Sequence, residues 1–211
     1  MVQSTSAVSS NAVHAAPSKV ETLEKQSYDS QTEVFLSHDW GKDKDNVNHK
    51  AVSRINDALK KKGIRTWFDE NSDGNPNRVV SGGSLGAQFT KGIDNTSIVL
   101  VFVTENYWAK ISSDNKFDNC CKEFNYSVLQ EKAMIAVVME KGMTNRKKWT
   151  GNFGAILGHD LYISFADAMD AKDNSTFDVA VDKLYKAILD HLMRNTADTR
   201  GNEMVSGPRA D

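Results

Sequence analysis

Five short apolar segments lie along the chain, separated by polar stretches and by stretches with helical periodicity. The segments are residues 34–36, 64–68, 97–103, 133–139 and 161–165. They are rich in β-branched and aromatic residues, which is typical of buried strands. Segment 97–103 is the most strongly apolar and is rich in β-branched residues, so we expect it to be the middle strand of a sheet that is covered on both faces.

The stretches between these segments show apolar residues at helical spacing, which predicts amphipathic helices. The predicted inward faces are Val52, Ile55, Ala58 and Leu59; Leu85, Phe89 and Ile93; Cys120, Phe124, Ser127 and Val128; and Val179, Leu184, Ile188 and Leu192. Strand and helix therefore alternate five times. This order predicts the α/β class with a five-stranded parallel sheet.

The length of 211 residues predicts one domain that is large enough to bury a core. Residues 1–30 have no sustained apolar period, so we expect them to form a disordered tail. The domain is predicted to span residues 31–194, and the polar residues 195–211 are expected to form a second disordered tail.

Charge and composition narrow the classes of partner. The net charge of −2 gives no basic excess for nucleic acid or anionic lipid, and no apolar window is long enough for a membrane helix. Cys120 and Cys121 are adjacent, so they cannot form an ordinary long-range disulfide with each other, and this indicates a reducing, cytoplasmic compartment.

The first predicted strand ends in a cluster of polar residues, Ser37, His38, Asp39 and Trp40. Residues at the carboxyl ends of parallel strands usually form the floor of a binding crevice. His38 has no partner at a spacing typical of a metal site or a catalytic triad, so we expect it only to line the pocket. Trp40 has two equal interpretations: it stacks on a flat cationic ligand, or it packs on the neighbouring helix.

The long segment 69–86 contains two motifs that we reject. Residues 69–74 match the first half of a calcium-binding loop, but Val80 stands where a bidentate glutamate is required. Residues 82–86 are glycine-rich, but they lack the Gly-Lys-Ser/Thr ending of a phosphate-binding loop. We therefore expect a flexible loop that leads into a helix, and no metal site.

Glu123 is the most distinctive residue of the predicted helix that begins near Asp118 or Asn119, because it lies at the edge of the inward face. On the pattern alone, we favour a solvated carboxylate in the first turns of the helix, where the helix dipole stabilises an anion by roughly 0.3–1 kcal/mol. Cys120, at an inward position, is interpreted as a small core residue in preference to a nucleophile.

A resemblance to a known family changes the interpretation of Glu123. Residues 34–38 (Val-Phe-Leu-Ser-His), 63–69 (Gly-Ile-Arg-Thr-Trp-Phe-Asp), 92–104 and 119–124 (Asn-Cys-Cys-Lys-Glu-Phe) occur in the order and at the separations of a TIR (Toll/interleukin-1 receptor) domain. The resemblance implies a flavodoxin-like sheet, a "BB loop" over residues 69–86, and a helix motif in which Asn119 replaces the usual Trp.

In the enzymatic branch of that family, the motif glutamate cleaves NAD+ at the bond between nicotinamide and ribose, so the resemblance makes Glu123 the catalytic residue. It also implies a substrate pocket, with Trp108 as an alternative wall to Trp67. The pocket residues are Phe35, Ser37, His38, Asp39, Trp40, Trp67, Gly83, Leu85, Asn119 and Cys120. Leu85 stands where some NAD+-cleaving members carry an aromatic residue.

Two hypotheses remain at this point. The first is an NAD+ glycohydrolase, activated by self-association, that releases nicotinamide and linear or cyclic ADP-ribose, with NAD+ as substrate and without a cofactor. The second is a non-enzymatic signalling module that binds copies of itself or other TIR proteins. A phospho-accepting receiver is disfavoured because residues 103–105 provide no Asp after the third strand.

Overall fold

The computed structural model describes residues 33–42, 45–69, 85–113, 115–170 and 174–205, with the side chains of 85–88, 170 and 195–205 outside the description. Within these residues, five strands form one sheet. They are β1 (Val34–Ser37), β2 (Thr66–Trp67), β3 (Ile98–Val103), β4 (Ala133–Val138) and β5 (Ile163–Ser164).

The sheet is parallel throughout, with the strand order β2-β1-β3-β4-β5. Every residue of β3 is buried, which confirms the prediction that this strand is the middle of the sheet. This order and the helices between the strands confirm a flavodoxin-like α/β fold. β2 and β5 are two residues each, shorter than the predicted segments, because the chain pairs with a neighbouring strand only over those residues.

Seven α-helices connect and flank the strands in the described part of the chain. They are α1 (Val47–Lys61), α2 (Leu85–Asp94), α3 (Glu105–Ser112), α4 (Asn119–Leu129), α5 (Gly151–Leu157), α6 (Ala166–Asp170) and α7 (Ser175–Val205). The sequence pattern did not predict α3, α5 and α6 as helices. None of the described helices is both long and apolar enough to cross a membrane.

Side chains of β1 alternate between the two faces of the sheet, as the pleat of a strand requires. Val34 and Leu36 pack into the core under α1, α6 and α7, whereas Phe35 packs into the core under α2, α3, α4 and α5. Ser37 follows Phe35 by two residues, so its side chain points to the α4 side. This alternation decides which polar groups the end of β1 presents to α4.

The last helix differs from its prediction in two respects. Val179 is 53% exposed, so its predicted place on the inward face is wrong, and Phe177 and Val181 occupy that face with Leu184 and Ile188. The steps between these four residues are four, three and four, which is the spacing of a helix face. α7 also continues to Val205, past the predicted boundary at residue 195. The predicted tail over residues 1–30 lies outside the described residues.

Candidate active site

Helix α4 brings Glu123 against the end of β1. Asp118 begins the helix as its N-cap, because its side chain accepts hydrogen bonds from the backbone N–H groups of Cys120 and Cys121 at 2.8 and 3.4 Å. One turn later, the Glu123 carboxylate Oε2 accepts a hydrogen bond of 2.7 Å from Ser37 Oγ. Glu123 is therefore partly buried at the sheet edge, and the solvated position favoured by the pattern alone is wrong.

Burial raises the pKa of Glu123 from its ordinary value of 4.5 to about 8. The bond from Ser37 opposes this shift, Asp69 and Asp118 add to it, and Lys110 lowers the pKa. Burial therefore favours the protonated form of this carboxyl group at neutral pH. An ionised Glu123, as the sequence led us to expect, requires a cation beside it.

Glu123 faces a cavity of about 330 Å³ at the carboxyl edge of β1. The cavity brings together six residues that the resemblance implied for the pocket: His38, Trp40, Trp67, Asn119, Cys120 and Glu123. Its remaining described lining consists of Gly41, Asp69, Phe89, Lys110, Phe117 and Asp118. Phe117 is 78% exposed, which places its ring at the mouth of the cavity.

His38 and His49 form a pair beneath this cavity. His38 Nδ1 donates to the carbonyl oxygen of Leu36 at 3.1 Å, so His38 Nε2 accepts from His49 Nδ1 at 2.8 Å. Burial lowers the pKa of His38 to about 4 and also lowers the pKa of His49, which the nearby Asp69 carboxylate counteracts. His38 lines the cavity, and the sequence analysis did not identify its partner His49, because helix α1 reaches the strand end only in the folded chain.

Ser37 is the middle of a chain of three hydrogen-bonded groups. Its Oγ lies 2.8 Å from the hydroxyl oxygen of Tyr107 and 2.7 Å from Glu123 Oε2. Tyr107 lies on α3 and is fully buried, and burial raises the pKa of its phenol well above 10. The sequence analysis missed Tyr107, because the helix that carries it was not predicted.

A model of the TIR domain family matches residues 34–181. The chain belongs to the TIR domain family. No curated protein matches the chain in sequence.

Three solved structures are similar to this TIR domain, each over 74% of this chain. The TIR domains of the activated Roq1 resistosome that recognises the pathogen effector XopQ share 18% identity over 99% of that chain, with a TM-score of 0.48. The TIR domain of the Toll-related receptor TRR-2 from Hydra magnipapillata shares 14% identity over 96% of its chain, with a TM-score of 0.44. A TIR-STING receptor from C. gigas, in complex with 2',3'-cGAMP, shares 14% over 38% of its chain, with a TM-score of 0.49.

Ser37, predicted to bind substrate, instead hydrogen-bonds Glu123 and is not part of the cavity lining. Two further residues predicted to bind substrate, Phe35 and Asp39, also do not line the cavity of this TIR domain. Phe35 is fully buried, and its ring stacks on Trp67 with centroids 4.4 Å apart, so it supports a wall of the cavity from behind. Asp39 is also buried, and its carboxylate accepts hydrogen bonds from the Gly41 backbone and the side chains of Asn48, Thr104 and Asn106. Both predictions are corrected, because these side chains point away from the cavity.

The aromatic predictions have mixed outcomes. Trp40 stacks on His49 with centroids 4.5 Å apart, so it packs on α1 while it also lines the cavity. Trp67 lines the cavity, whereas Trp108 packs against the apolar core and is not part of the lining. Gly83 lies outside the described residues, as does the side chain of Leu85, whose backbone begins α2.

Lys110 is the one cation among the described lining residues, and the sequence pattern did not single it out. Its Nζ lies 3.2 Å from Asp118 Oδ2 and 3.7 Å from Cys120 Sγ. The described residues contain no cluster of three or more His, Cys, Asp or Glu side chains that would hold a metal ion. The described lining therefore combines three carboxyl groups, those of Glu123, Asp69 and Asp118, with aromatic walls and one lysine that is paired with Asp118.

Proposed function

We propose that this TIR domain is an NAD+ glycohydrolase that cleaves the bond between nicotinamide and ribose. The observation that carries the proposal is the position of Glu123, whose carboxyl group faces an aromatic-walled cavity at the carboxyl edge of the sheet. Ligands of open parallel sheets bind at this edge. The resemblance of residues 119–124 to the family motif supports the same residue.

The chemistry requires one carboxylate. Nicotinamide departs as a neutral molecule from a cationic ring, so no acid is needed to protonate the leaving group, in contrast to ordinary glycosides, which need a second carboxyl group. The remaining task is to stabilise the positive charge that develops on the ribose. A carboxylate held close to the ribose stabilises that charge more in the transition state than in the ground state.

The raised pKa of Glu123 couples substrate binding to ionisation. A cationic nicotinamide ring beside Glu123 favours the charged form of the carboxyl group, and so lowers the Glu123 pKa from about 8 toward neutral pH. NAD+ therefore displaces the proton as it binds. A neutral nicotinamide ring does not provide this compensation, so the site favours the oxidised dinucleotide, whose nicotinamide ring is cationic, over the reduced one.

The aromatic walls serve binding and exclude water. Trp40 and Trp67 line the same cavity as Glu123. The ring of either tryptophan suits stacking on a flat cationic ring. The proposal includes activation by self-association, since the resemblance implies that the loop of a neighbouring copy completes the site. Linear and cyclic ADP-ribose are both compatible with the proposed cleavage.

The decisive experiment measures nicotinamide release from NAD+ by the purified chain over a range of protein concentrations. We expect release to rise faster than linearly with protein concentration. Glu123→Gln should lower it by roughly 100-fold or more, the loss typical when a group that stabilises transition-state charge is removed. Glu131→Gln, an exposed glutamate just beyond the end of α4, is the matched control and should retain activity.

Light scattering on the same samples separates the proposed enzyme from a non-enzymatic module. Absence of nicotinamide release at concentrations where the wild-type chain self-associates would overturn the proposal. The measured self-association would then be that of a non-enzymatic signalling module. Equal turnover by Glu123→Gln and wild type would place the chemistry elsewhere in the chain.

A further inference from the structure

We infer that Tyr107 is a positioning residue that acts through Ser37 to favour the charged form of Glu123. The inference rests on the proposed function only for its catalytic consequence. The physical claim concerns three groups at hydrogen-bonding distance: Tyr107 Oη, Ser37 Oγ and Glu123 Oε2. These groups come from α3, β1 and α4, so only the folded chain assembles them.

The direction of the chain follows from the donors available. Ser37 has one hydroxyl hydrogen, which it donates to Glu123 Oε2. Its contact of 2.8 Å with Tyr107 is then satisfied when the phenol donates to Ser37 Oγ. In this arrangement, both hydroxyl hydrogens have acceptors, and both point toward the carboxylate.

The opposite direction is less favourable. If protonated Glu123 donated to Ser37, Ser37 would donate to Tyr107, and the buried phenol hydrogen would have no acceptor among the described residues. A buried donor without an acceptor is costly. A phenol that donates to Ser37 also polarises the Ser37 hydroxyl, which strengthens its bond to a charged acceptor more than to a neutral one.

Other charged and titratable groups around Glu123 do not replace this effect. Asp69 after β2 and Asp118 at the start of α4 raise the pKa of Glu123, whereas Lys110 on α3 lowers it. Burial raises the pKa of the Cys120 thiol well above its ordinary value. Lys110 is already paired with Asp118 at 3.2 Å. His38 after β1 is held neutral by burial, which lowers its pKa to about 4. The hydroxyl chain is thus the direct contact that opposes the burial of the carboxylate.

The backbone of α3 holds the phenol in place. Thr104 is the N-cap of this helix, and its Oγ1 accepts a hydrogen bond of 2.9 Å from the Tyr107 backbone N–H. The ring of Tyr107 also packs edge-on against Phe153. Removing the hydroxyl leaves these contacts intact, so Tyr107→Phe is a selective test.

The test measures the titration of Glu123 directly, by NMR of the side-chain carboxyl carbons of carbon-13-labelled glutamate. The Glu123 signal is assigned by its loss in Glu123→Gln. In Tyr107→Phe, we expect the titration midpoint to rise by about half a pH unit to one pH unit, which corresponds to the net contribution of one hydrogen bond. Tyr126→Phe is the matched control on α4, because its hydroxyl bonds Asp94 instead, at 2.7 Å.

A double-variant comparison distinguishes action through Ser37 from a general structural effect. Ser37→Ala removes the middle of the chain, so adding Tyr107→Phe to it should leave the Glu123 midpoint within about 0.2 pH unit, because no route then connects the two residues. An unchanged midpoint in Tyr107→Phe, or an equal shift in Tyr126→Phe, would overturn the inference.

Activity provides a second, separate readout. The pH at which nicotinamide release reaches half its maximum should rise by the same amount in Tyr107→Phe. If the NMR midpoint shifts while no variant releases nicotinamide, the inference about Tyr107 stands and the proposed function fails. If nicotinamide is released with an unshifted NMR midpoint, the proposed function stands and the inference about Tyr107 fails.

Discussion

Two carboxyl groups at the same edge of the sheet have opposite surroundings. Asp39 is 1% exposed and accepts hydrogen bonds from backbone and side-chain donors of the loop after β1, the start of α1 and the region that begins α3. Glu123, on α4, accepts one hydrogen bond within the described part of the chain, from Ser37. The Asp39 carboxyl oxygens thus have several hydrogen-bond donors, whereas those of Glu123 have one.

This difference separates a structural acid from the acid that we propose as catalytic. Bonds from Asn106 and Thr104 connect Asp39 to the helix that carries Tyr107, so Asp39 helps to place the hydroxyl that reaches Ser37. Burial of the charged Glu123 carboxylate costs free energy, and only a proton or a cation offsets that cost. A carboxyl group in that condition is suited to bind a cationic ligand.

The largest expected effect comes from removing the hydrogen-bonded carboxyl group of Asp39. Asp39→Ala leaves the buried Thr104 hydroxyl and three partly buried donors without their acceptor, so we expect the free energy of unfolding to fall by about 3 kcal/mol. Urea unfolding followed by circular dichroism measures it. Asp167→Ala, an exposed acid whose carboxylate lies 3.7 Å from Lys141, should change the free energy by less than about 1 kcal/mol. A loss of similar size in both variants would contradict the comparison.

The second effect is the pH dependence of stability. The folded pKa of Glu123 is about 8 and its ordinary value is 4.5, so the folded state binds this proton more tightly over that interval. The contribution to stability is therefore fully present below pH 4.5 and is lost as the pH rises to 8. Glu123→Gln lacks this loss. At pH 9 we expect it to be more stable than the wild type by roughly 2 kcal/mol, after a discount for partial exposure.

Glu123→Gln also shows which result would contradict the predicted pH dependence of stability. Unfolding curves of wild type and Glu123→Gln are compared at pH 5 and pH 9, and the difference between the two proteins should grow with pH. A constant difference would mean that Glu123 titrates near its ordinary pKa, and the contrast with Asp39 would fail.

A third, smaller effect concerns the cavity wall near Glu123. A Cβ atom at Gly92 would lie 2.8 Å from the Trp67 ring, so Gly92→Ala displaces a ring that stacks on Phe35 and lines the cavity. We expect a loss of about 1–3 kcal/mol in the free energy of unfolding and a higher KM for NAD+. In Gly142→Ala the nearest described atom lies 3.5 Å away, so that variant is the control. An unchanged KM in Gly92→Ala would remove Trp67 from the binding wall.

The smallest effect is expected far from both carboxyl groups. Val179→Ser replaces an exposed residue of α7 and should change the free energy of unfolding by no more than about 0.5 kcal/mol. Val181→Ser, on the buried face two residues later, should cost several times as much. Similar losses of unfolding free energy in the two variants would contradict the observed orientation of the helix, in which Val181 is buried and Val179 is exposed.

The apolar pattern alone was enough to predict the class, the number of strands and the central place of β3. That information is local, since strand and helix periodicities can be read from neighbouring residues. The short helix α3 and the true face of α7 were missed, because a helix of eight residues gives a weak periodic signal and because Val179 is apolar without being buried.

The site was predictable only in part. The cluster after β1 and the motif around Glu123 could be named from the sequence, and six of the named residues line one cavity. Tertiary structure decided the rest: Asp39 points away from the cavity, His49 pairs with His38, and Tyr107 reaches Ser37. The physical reason is that hydrogen-bond partners and burial depend on elements that lie far apart in the chain, and these two factors set the charge of Glu123.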